Sequence, residues 1–287
     1  MTHVSARRGA FYVSVAATAW GTGGAAGSLL FESGGLGPVG VSLWRYLLGA
    51  AFLLVLTRRP AVLNGRVLLI GAGMAVYQAA YFGAIAHSGV AIATVVTMGA
   101  TPVFTALGSR FLLREPLGRV ALAALVTAMA GLVLLTGETA LRSQTSSIAG
   151  IGLALVSAAG YAGVTILSRR NGDDDAQGVA IGGFVVGAAC LAPFALVEGV
   201  VPNVSLSSVA LLLYLGAVPT ALAYGLFFRA LTALRATTVS IISLGEAVGA
   251  ALLGVALFGE QLTPLAWSGC ALLLAAVTVL AVRAESG

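Results

Sequence analysis

Long apolar runs follow one another along the whole chain, and glycine, proline or charged residues separate them. A helix needs about 20 mostly apolar residues to cross about 30 Å of hydrocarbon, at a rise of about 1.5 Å per residue. Ten runs approach this length: 10–30, 38–57, 66–87, 90–113, 118–136, 148–168, 179–197, 207–229, 236–258 and 264–282. The boundary between the third and fourth runs is the least distinct, because only His87-Ser88-Gly89 marks it. The pattern predicts an all-α polytopic membrane protein with ten transmembrane helices.

The arginines test this topology independently. If the N-terminus is cytoplasmic, Arg142 is the only arginine in an outward segment, and Arg45 lies within the second span. The remaining arginines all fall in inward segments: Arg7, Arg8, Arg58, Arg59, Arg66, Arg110, Arg114, Arg119, Arg169, Arg170, Arg229, Arg235 and Arg283. Cytoplasmic segments of membrane proteins carry such an excess of positive charge. The distribution predicts that both termini are cytoplasmic.

Composition excludes a soluble domain, because only 9% of the residues are charged and 59% are hydrophobic, whereas soluble domains carry about 25% charged residues. The net charge of +5 does not indicate nucleic-acid binding, since the arginines are scattered over the ends of apolar runs instead of clustered on one face. The sequence contains no metal-ligand spacing, nucleotide-binding loop or nucleophile motif. We therefore predict no cofactor, no metal and no catalytic residue, and Cys190 and Cys270 are interpreted as packing residues.

The chain repeats itself after 145 positions. Phe111–Leu117 aligns with Ala256–Leu262, and in each stretch an apolar helix end is followed by a glutamate, Glu115 or Glu260, and then by a leucine two residues later. Both glutamates are predicted to be exposed turn residues that cap helices. Since each half, 1–145 and 146–287, contains five spans, an odd number, the second half is expected to be inverted in the membrane. Inverted repeats are typical of secondary transporters, with a substrate site near the midplane between the halves.

Two segments, Ala93–Leu135 and Tyr224–Leu280, resemble the EamA domain of the drug/metabolite transporter superfamily, and the Arg45-Tyr46 pair fits the same pattern. Together the two tandem domains cover nearly the whole chain. The resemblance implies a ten-helix exporter, closest in appearance to the YddG-type bacterial amino-acid exporters; other members move nucleotide sugars or triose phosphates. One departure is that the second copy has Glu246-Ala247 where the first has Thr101-Pro102.

Arg45 and Glu246 are the charged residues that the topology places deepest in the membrane. Charges at such depth are costly, so each is a candidate for function. Arg45 lies about 10 Å below the outer boundary by helix rise, where it is compatible with binding a substrate carboxylate, with a structural ion pair or with snorkelling to the interface. Glu246 is compatible with a neutral carboxyl, an ion pair with Arg45 or a proton carrier.

Aromatic and polar side chains near the middle of several spans are the other candidates. Tyr77, Gln78 and Tyr81 share one helix face, and such residues either line a polar cavity or pack within the bundle. The predicted cavity residues are Trp20, Arg45, Tyr77, Gln78, Tyr81, Thr97, Tyr161, Tyr224, Phe228, Ser243 and Glu246. Pro102 and Pro219 are predicted hinges, because proline removes a backbone hydrogen bond inside a span.

These features predict a bacterial inner-membrane secondary transporter that exports small metabolites, amino acids foremost, by alternating access through a cavity between the repeats. A sugar-phosphate, nucleotide-sugar or drug carrier is the alternative; an anionic cargo is disfavoured because Arg45 is the one well-placed cation. A membrane-embedded enzyme lacks a catalytic set, and a scaffold would not need polar groups at mid-membrane. The expected partners are a small-molecule substrate and the lipid bilayer, while the oligomeric state and the energy source stay open.

Overall fold

The computed structural model describes residues 4–142, 147–170, 175–258 and 261–285, so the turn at Glu260 lies outside the described residues. The regular elements in these ranges are all helices. They are α1 (Ala6–Ser33), α2 (Pro38–Thr57), α3 (Gly65–Gly108), α4 (Arg119–Arg142), α5 (Ile148–Arg170), α6 (Ala176–Glu198), α7 (Leu206–Gly216), α8 (Ala223–Ala233), α9 (Ala236–Ser243), α10 (Gly245–Phe258) and α11 (Pro264–Glu285). Short π-helical turns follow α3 at Ser109–Leu113 and join α7 to α8 at Ala217–Leu222.

Short polar side chains begin several of these helices by binding backbone amides that have no partner inside the helix. The Asn64 side chain accepts hydrogen bonds from Arg66 N and Val67 N at the start of α3. Asp175 accepts one from Gln177 N at the start of α6. Because both caps lie in loops between apolar runs, they fix where each span begins.

Within the described residues, nine segments are long and apolar enough to cross a membrane, and α1, with 28 residues, is the tenth long helix. Gly65–Ser88 and Ile92–Leu113 are each long and apolar enough to cross a membrane, as the predicted third and fourth spans require. Helical structure is nevertheless continuous through α3. The Tyr81 hydroxyl lies 2.7 Å from Thr94 Oγ1, whereas 13 residues of straight helix would separate them by about 20 Å. The chain therefore turns back on itself within α3.

Two other spans that the sequence predicts as single helices are divided. Span 207–229 is interrupted by the π-helical turn that contains Pro219. Pro219 has no amide to donate to Leu215 O, and the Thr220 hydroxyl binds that carbonyl instead, at 2.6 Å. Span 236–258 is divided at Leu244, where the α-helical pattern gives way to tighter bonds from Leu244 N to Ile241 O and from Ala247 N to Leu244 O, both 3.1 Å.

The second helices of the two repeats, α2 and α6, pack antiparallel. Gly40 N, near the start of α2, donates to the Glu198 carboxylate at the end of α6, at 2.8 Å. Tyr46, further along α2, packs against Gly187, nearer the start of α6: a Cβ atom added at Gly187 would lie 3.0 Å from the ring of Tyr46. Advancing along one helix therefore means moving back along the other, as inverted repeats require.

The last helices of the two repeats, α4 and α11, show the same relation. A Cβ atom at Gly131 would lie 2.8 Å from Leu273 N, whereas one at Gly269 would lie 2.5 Å from Leu135 N, so the later residue of each helix meets the earlier residue of the other. The backbones approach this closely because both helices present glycine at the crossing. Since equivalent helices run in opposite directions, the prediction of two inverted five-helix repeats is confirmed.

The bundle has two chemically different ends. At one end, which we call the arginine-rich end, Arg59 lies 3.9 Å from Asp175, and Arg235 donates to Pro116 O at 3.2 Å. At the arginine-poor end, the Trp44 indole N–H donates to Val200 O at 2.9 Å. The assignment of the arginine-rich end to the cytoplasm follows the positive-inside rule and stays a prediction.

Candidate substrate cavity

A cavity of about 670 Å³ lies between the two repeats and is lined by residues of α1, α2, both arms of α3, α5 and α7 to α10. Small-molecule sites have volumes of about 300–1,000 Å³. Ten of the eleven predicted cavity residues lie on its wall: Trp20, Arg45, Tyr77, Gln78, Tyr81, Thr97, Tyr161, Tyr224, Ser243 and Glu246. The structure thus brings together residues from both repeats, and their part in binding a substrate stays a prediction.

The cavity extends from the middle of the bundle toward the arginine-poor end. In α1 its wall begins at Trp20 and reaches Gly27, and in α5 it goes no deeper than Tyr161. Val41 and Ile85 line the same side of the cavity, each near the arginine-poor end of its helix. No lining residue lies in the last two turns of α5 or the first three turns of α1, so the arginine-rich ends of these helices lie outside the cavity.

Arg45 is held on the wall by a side chain that sequence reasoning missed. Its Nε donates to Thr220 Oγ1 at 3.3 Å, and Thr220 in turn binds the Leu215 carbonyl that Pro219 leaves free. In the described part of the chain the guanidinium forms no ion pair, so its other N–H groups remain available to a ligand. The sequence signal for this arrangement was the threonine that directly follows a proline inside an apolar span.

Glu246 lies in the first turn of α10, directly after the break at Leu244. The positive end of a helix dipole stabilises a carboxylate at this position. A Cβ atom at Gly21 would lie 2.9 Å from Glu246 O, so α1 packs closely against this turn. Both Arg45 and Glu246 line the cavity, but no ion pair joins them. Of the three interpretations of Glu246, the ion pair with Arg45 is therefore wrong in this conformation.

A chain of tyrosine hydroxyls crosses the boundary between the repeats at the inner side of the cavity. The Tyr77 hydroxyl is hydrogen-bonded to that of Tyr224, and the buried Tyr46 hydroxyl donates toward Tyr77 at 3.5 Å. Ser157 donates to Tyr77 O at 2.8 Å, which fixes α5 against α3. The ring of Trp20 packs edge-on against Tyr224 with centroids 5.0 Å apart. These contacts give the cavity a rigid aromatic wall with hydroxyl groups.

Several other polar residues of the wall are hydrogen-bonded to the protein. Gln78 donates to Ser42 Oγ at 3.0 Å, and the Thr97 hydroxyl donates to Ala154 O at 3.2 Å. The hydroxyl of Ser243 donates to Val239 O one helical turn earlier, at 2.9 Å. Two buried donors beside the cavity, Trp20 Nε1 and Ser240 Oγ, have no hydrogen-bond partner among the described residues.

Phe228 is the predicted cavity residue that the structure puts elsewhere. It is 3% exposed and packs beside Phe227 and Tyr224, with ring centroids 5.6 and 6.3 Å away. Phe227, Phe228, Leu231 and Leu234 are all buried and form an apolar layer between the cavity and the arginine-rich end, which we call the plug. Phe228 was misassigned because helical spacing from Tyr224 places it on the same face but one turn deeper.

The two predicted hinges differ in conformation. Pro102 lies inside the continuous helix α3, whereas Pro219 lies in a π-helical turn. Their motion stays a prediction. Among the described residues, no group of three or more His, Cys, Asp or Glu side chains is placed to hold a metal ion.

Two inverted helical repeats around a central cavity with polar groups define a multi-pass transporter fold. Comparison with known families agrees: the model of the EamA-like transporter family matches residues 7–137 and again residues 148–282. This chain belongs to the EamA-like transporter family. The double match supports the repeat that the sequence predicts and the membrane location.

Individual relatives are consistent with this assignment. The chain is 30% identical to an uncharacterized transporter, YwfM, of Bacillus subtilis (strain 168) over 278 residues, 94% of this chain and 92% of that protein. A protein of known crystal structure has 22% identity and a TM-score of 0.83, over 97% of this chain and 98% of the other. At that identity the likeness shows the fold alone. The resemblance to YddG-type exporters is not confirmed by these comparisons and stays a prediction.

Proposed function

We propose that this protein exports small zwitterionic metabolites, amino acids foremost, by secondary transport across the bacterial inner membrane. The observation that carries the proposal is that Arg45 and Glu246 line one cavity and that neither forms an ion pair with any described residue. A buried charge without a partner is costly. A ligand that carries both a carboxylate and an ammonium group gives each charge a partner and adds no net charge to the cavity.

The geometry of Arg45 favours a carboxylate. Guanidinium groups bind carboxylates through two parallel hydrogen bonds. The bond from Arg45 Nε to Thr220 fixes one edge of the group and leaves the two terminal nitrogens to point at a ligand. Glu246, at the start of α10, is the acceptor for an ammonium group. On this proposal the two residues bind opposite ends of the same small molecule.

The aromatic wall indicates the kind of side chain that such a substrate carries. Trp20, Tyr161 and Tyr224 line the cavity, and Phe82 and Met98 add apolar surface to it. Aromatic faces bind apolar or aromatic groups well, and tyrosine hydroxyls also accept polar ones. We therefore expect neutral amino acids, such as methionine, threonine and phenylalanine, to be preferred over charged ones.

Two other cargoes fit the same family. A sugar phosphate or nucleotide sugar carries two or more negative charges, and Arg45 is the one cation on the wall within the described residues. A cationic drug would use Glu246 and the aromatic wall but would leave Arg45 without a partner. Neither cargo satisfies both charges, so both are less well supported than a zwitterion.

Counterflow into proteoliposomes tests the proposal. Vesicles that contain the purified protein are loaded with unlabelled threonine, methionine, phenylalanine, glutamate or lysine, and uptake of the same labelled compound is followed with and without a pH gradient. Saturable uptake of the neutral amino acids, inhibited little by a sugar phosphate or a cationic drug, is the expected result. Dependence on the gradient that disappears in Glu246→Gln would identify this carboxylate as the proton carrier. Counterflow of none of the amino acids, beside an active control carrier, would refute the proposal.

A further inference from the structure

On the arginine-rich side of the plug, Glu115 and Arg169 form an ion pair that is mostly shielded from solvent. Arg169 Nε lies 3.1 Å from Glu115 Oε1, and the two side chains are 26% and 15% exposed. The expectation that Glu115 is an exposed turn residue is therefore wrong, because it lies under the loop between α8 and α9. Ion pairs at exposed sites contribute little, but shielding and additional hydrogen bonds strengthen them.

Both members of the pair also bind helix ends of the second repeat. Arg169 donates through one terminal nitrogen to Leu231 O at 2.9 Å and Thr232 O at 3.2 Å, in the last turn of α8. The second Glu115 oxygen accepts from Ala236 N, the first residue of α9, at 3.3 Å. A cation at a helix C-terminus and an anion at a helix N-terminus both match the helix dipoles. Glu115 thus caps a helix, as predicted, but a helix of the other repeat.

The contacts of Glu115 cross the boundary between the repeats, whereas the bonds from Arg169 to α8 lie within the second repeat. Glu115 belongs to the first repeat, whereas Arg169, α8 and α9 belong to the second. The same α8–α9 segment carries the plug residues Leu231 and Leu234, and Arg235 adds a bond to Pro116 O at 3.2 Å. The polar network therefore holds the apolar plug in place from the arginine-rich side. We call the Glu115–Arg169 pair and its three backbone partners the latch.

The repeat in the sequence does not supply both partners of an equivalent ion pair for the opposite end. The position 145 residues before Arg169 is Gly24, which has no side chain that could pair with Glu260, the counterpart of Glu115. The halves thus share a backbone plan but not this ion pair. In a protein whose two access states are related by the inverted repeat, an interaction present at one end only stabilises one state over the other.

We infer that the latch is a conformational gate, which keeps the arginine-rich end closed and makes the state with the cavity directed to the arginine-poor end the resting state. Opening of the arginine-rich end between the repeats requires the bonds of Glu115 to Arg169 and to Ala236 N of α9 to break. The inference rests on the proposed transport function, since a gate has meaning only in a protein that alternates between two access states. Glu115 and Arg169 do not line the cavity.

Distances between spin labels measure the gate directly. Gly118 and Arg170 are exposed neighbours of the latch, and both are changed to cysteine and labelled in a background where Cys190 and Cys270 are alanine. Without substrate, the parent protein is expected to give one short, narrow distance distribution. Glu115→Gln and Arg169→Gln are each expected to raise the fraction of longer distances at least about fivefold, the low end of ordinary allosteric couplings. Arg169→Lys keeps the charge but loses the planar guanidinium group, which binds Glu115 and the end of α8 at the same time. An intermediate fraction of longer distances is therefore expected.

The control is Arg119→Gln. It removes one cation from the exposed start of α4, directly after the labelled position 118. Its distribution should equal that of the parent. Unchanged distributions in folded Glu115→Gln, Arg169→Gln and Arg169→Lys proteins would overturn the inference and leave the latch a purely structural contact. If the glutamine variants do not fold, Arg169→Lys alone decides between the two results. The experiment uses no substrate, so a wrong substrate assignment does not affect its outcome, and counterflow can fail while the gate is verified.

Discussion

The two ends of this transporter share one backbone plan and differ in their side chains. At the arginine-rich end, buried residues of α8 and the following Leu234 form the plug, and the ion pair between Glu115 and Arg169 lies on its arginine-rich side. At the arginine-poor end the cavity continues between the helices to Gly27 and Ile85. Within the described residues, a symmetric backbone plan therefore carries different side chains at its two ends, and the inference is that those at the arginine-rich end stabilise its closure.

Equivalent spans of the two repeats show the same divergence. The fourth span contains Pro102 and remains helical throughout, whereas its counterpart has no proline and is divided at Leu244. The divided span carries Glu246 in the turn that follows the break. Broken helices in transporters place helix ends, with their unpaired backbone groups, at the substrate site. The repeat thus preserves topology, while Glu246, a predicted binding residue, stands at a position where the two copies differ.

The largest effect on transport is expected when the arginine of the cavity is removed and compared with removal of an exposed arginine at the other end. Arg45→Ala removes the cation of the cavity, whereas Arg119→Ala removes an exposed one at the closed end. Loss of a partner to a charged ligand group costs about 2 kcal/mol or more, which corresponds to about a 30-fold fall in transport efficiency. Initial rates of counterflow over a range of substrate concentrations measure this fall. Equal rates in Arg45→Ala and Arg119→Ala would show that Arg45 does not bind substrate.

Two glycines of α1 allow the packing at the two ends to be compared by substitution. A Cβ atom at Gly9 would lie 3.0 Å from Leu234 Cγ of the plug, whereas one at Gly27 would have no atom within 4 Å apart from its chain neighbours and the nearby backbone of α1. Gly9→Leu is expected to destabilise the protein by about 1–3 kcal/mol, the usual cost of overpacking. Gly27→Leu should leave stability within about 1 kcal/mol, because the new side chain enters the cavity and leucine favours the helix, but it should slow transport. Unfolding curves in detergent, paired with counterflow, separate these effects; equal stability of both variants would contradict a tightly packed closed end.

The smallest effect on stability and transport is expected at the rim of the arginine-poor end. Trp44→Phe removes the hydrogen bond from the indole to Val200 O and retains most of the apolar surface. One hydrogen bond contributes about 1 kcal/mol, so the unfolding midpoint should fall slightly and transport should persist. Trp267→Phe is a suitable control, since Trp267 is 46% exposed on α11. A loss of transport in Trp44→Phe would mean that this rim takes part in closing the cavity.

Much of the fold could be predicted because a bilayer imposes simple rules on sequence. Apolar runs of the required length gave the helices, and the arginines gave their relative direction, since both respond to solvent over whole segments. The turn within α3 was predicted from three residues around Ser88 although helical structure continues through it. The breaks at Pro219 and Leu244 were not predicted as breaks, because local bonds, such as the one from the Thr220 hydroxyl to Leu215 O, compensate for a lost helical bond without a distinct sequence pattern.

The cavity was predicted in outline but not in its contacts. Arg45 and Glu246 attract attention in a sequence because charges inside a span are rare. Thr220 does not, since a threonine among apolar residues is common and its role depends on the carbonyl that Pro219 leaves free. The latch depends on Glu115 reaching α9 of the other repeat, a long-range contact without a local pattern. Phe228 shows the reverse case, in which helical spacing predicted the face correctly and the depth wrongly.

The central claim is that the transported molecule binds in this one cavity and reaches it from the arginine-poor end. Met98 lies on the wall, and Met98→Cys, with Cys190 and Cys270 changed to alanine, provides a single thiol there. A membrane-impermeant thiol reagent, added to one side of oriented vesicles at a time, measures access. The account predicts rapid labelling from the arginine-poor side only, and protection by the amino acids that the variant transports. Labelling from the arginine-rich side alone, or no protection by a transported substrate, would contradict it.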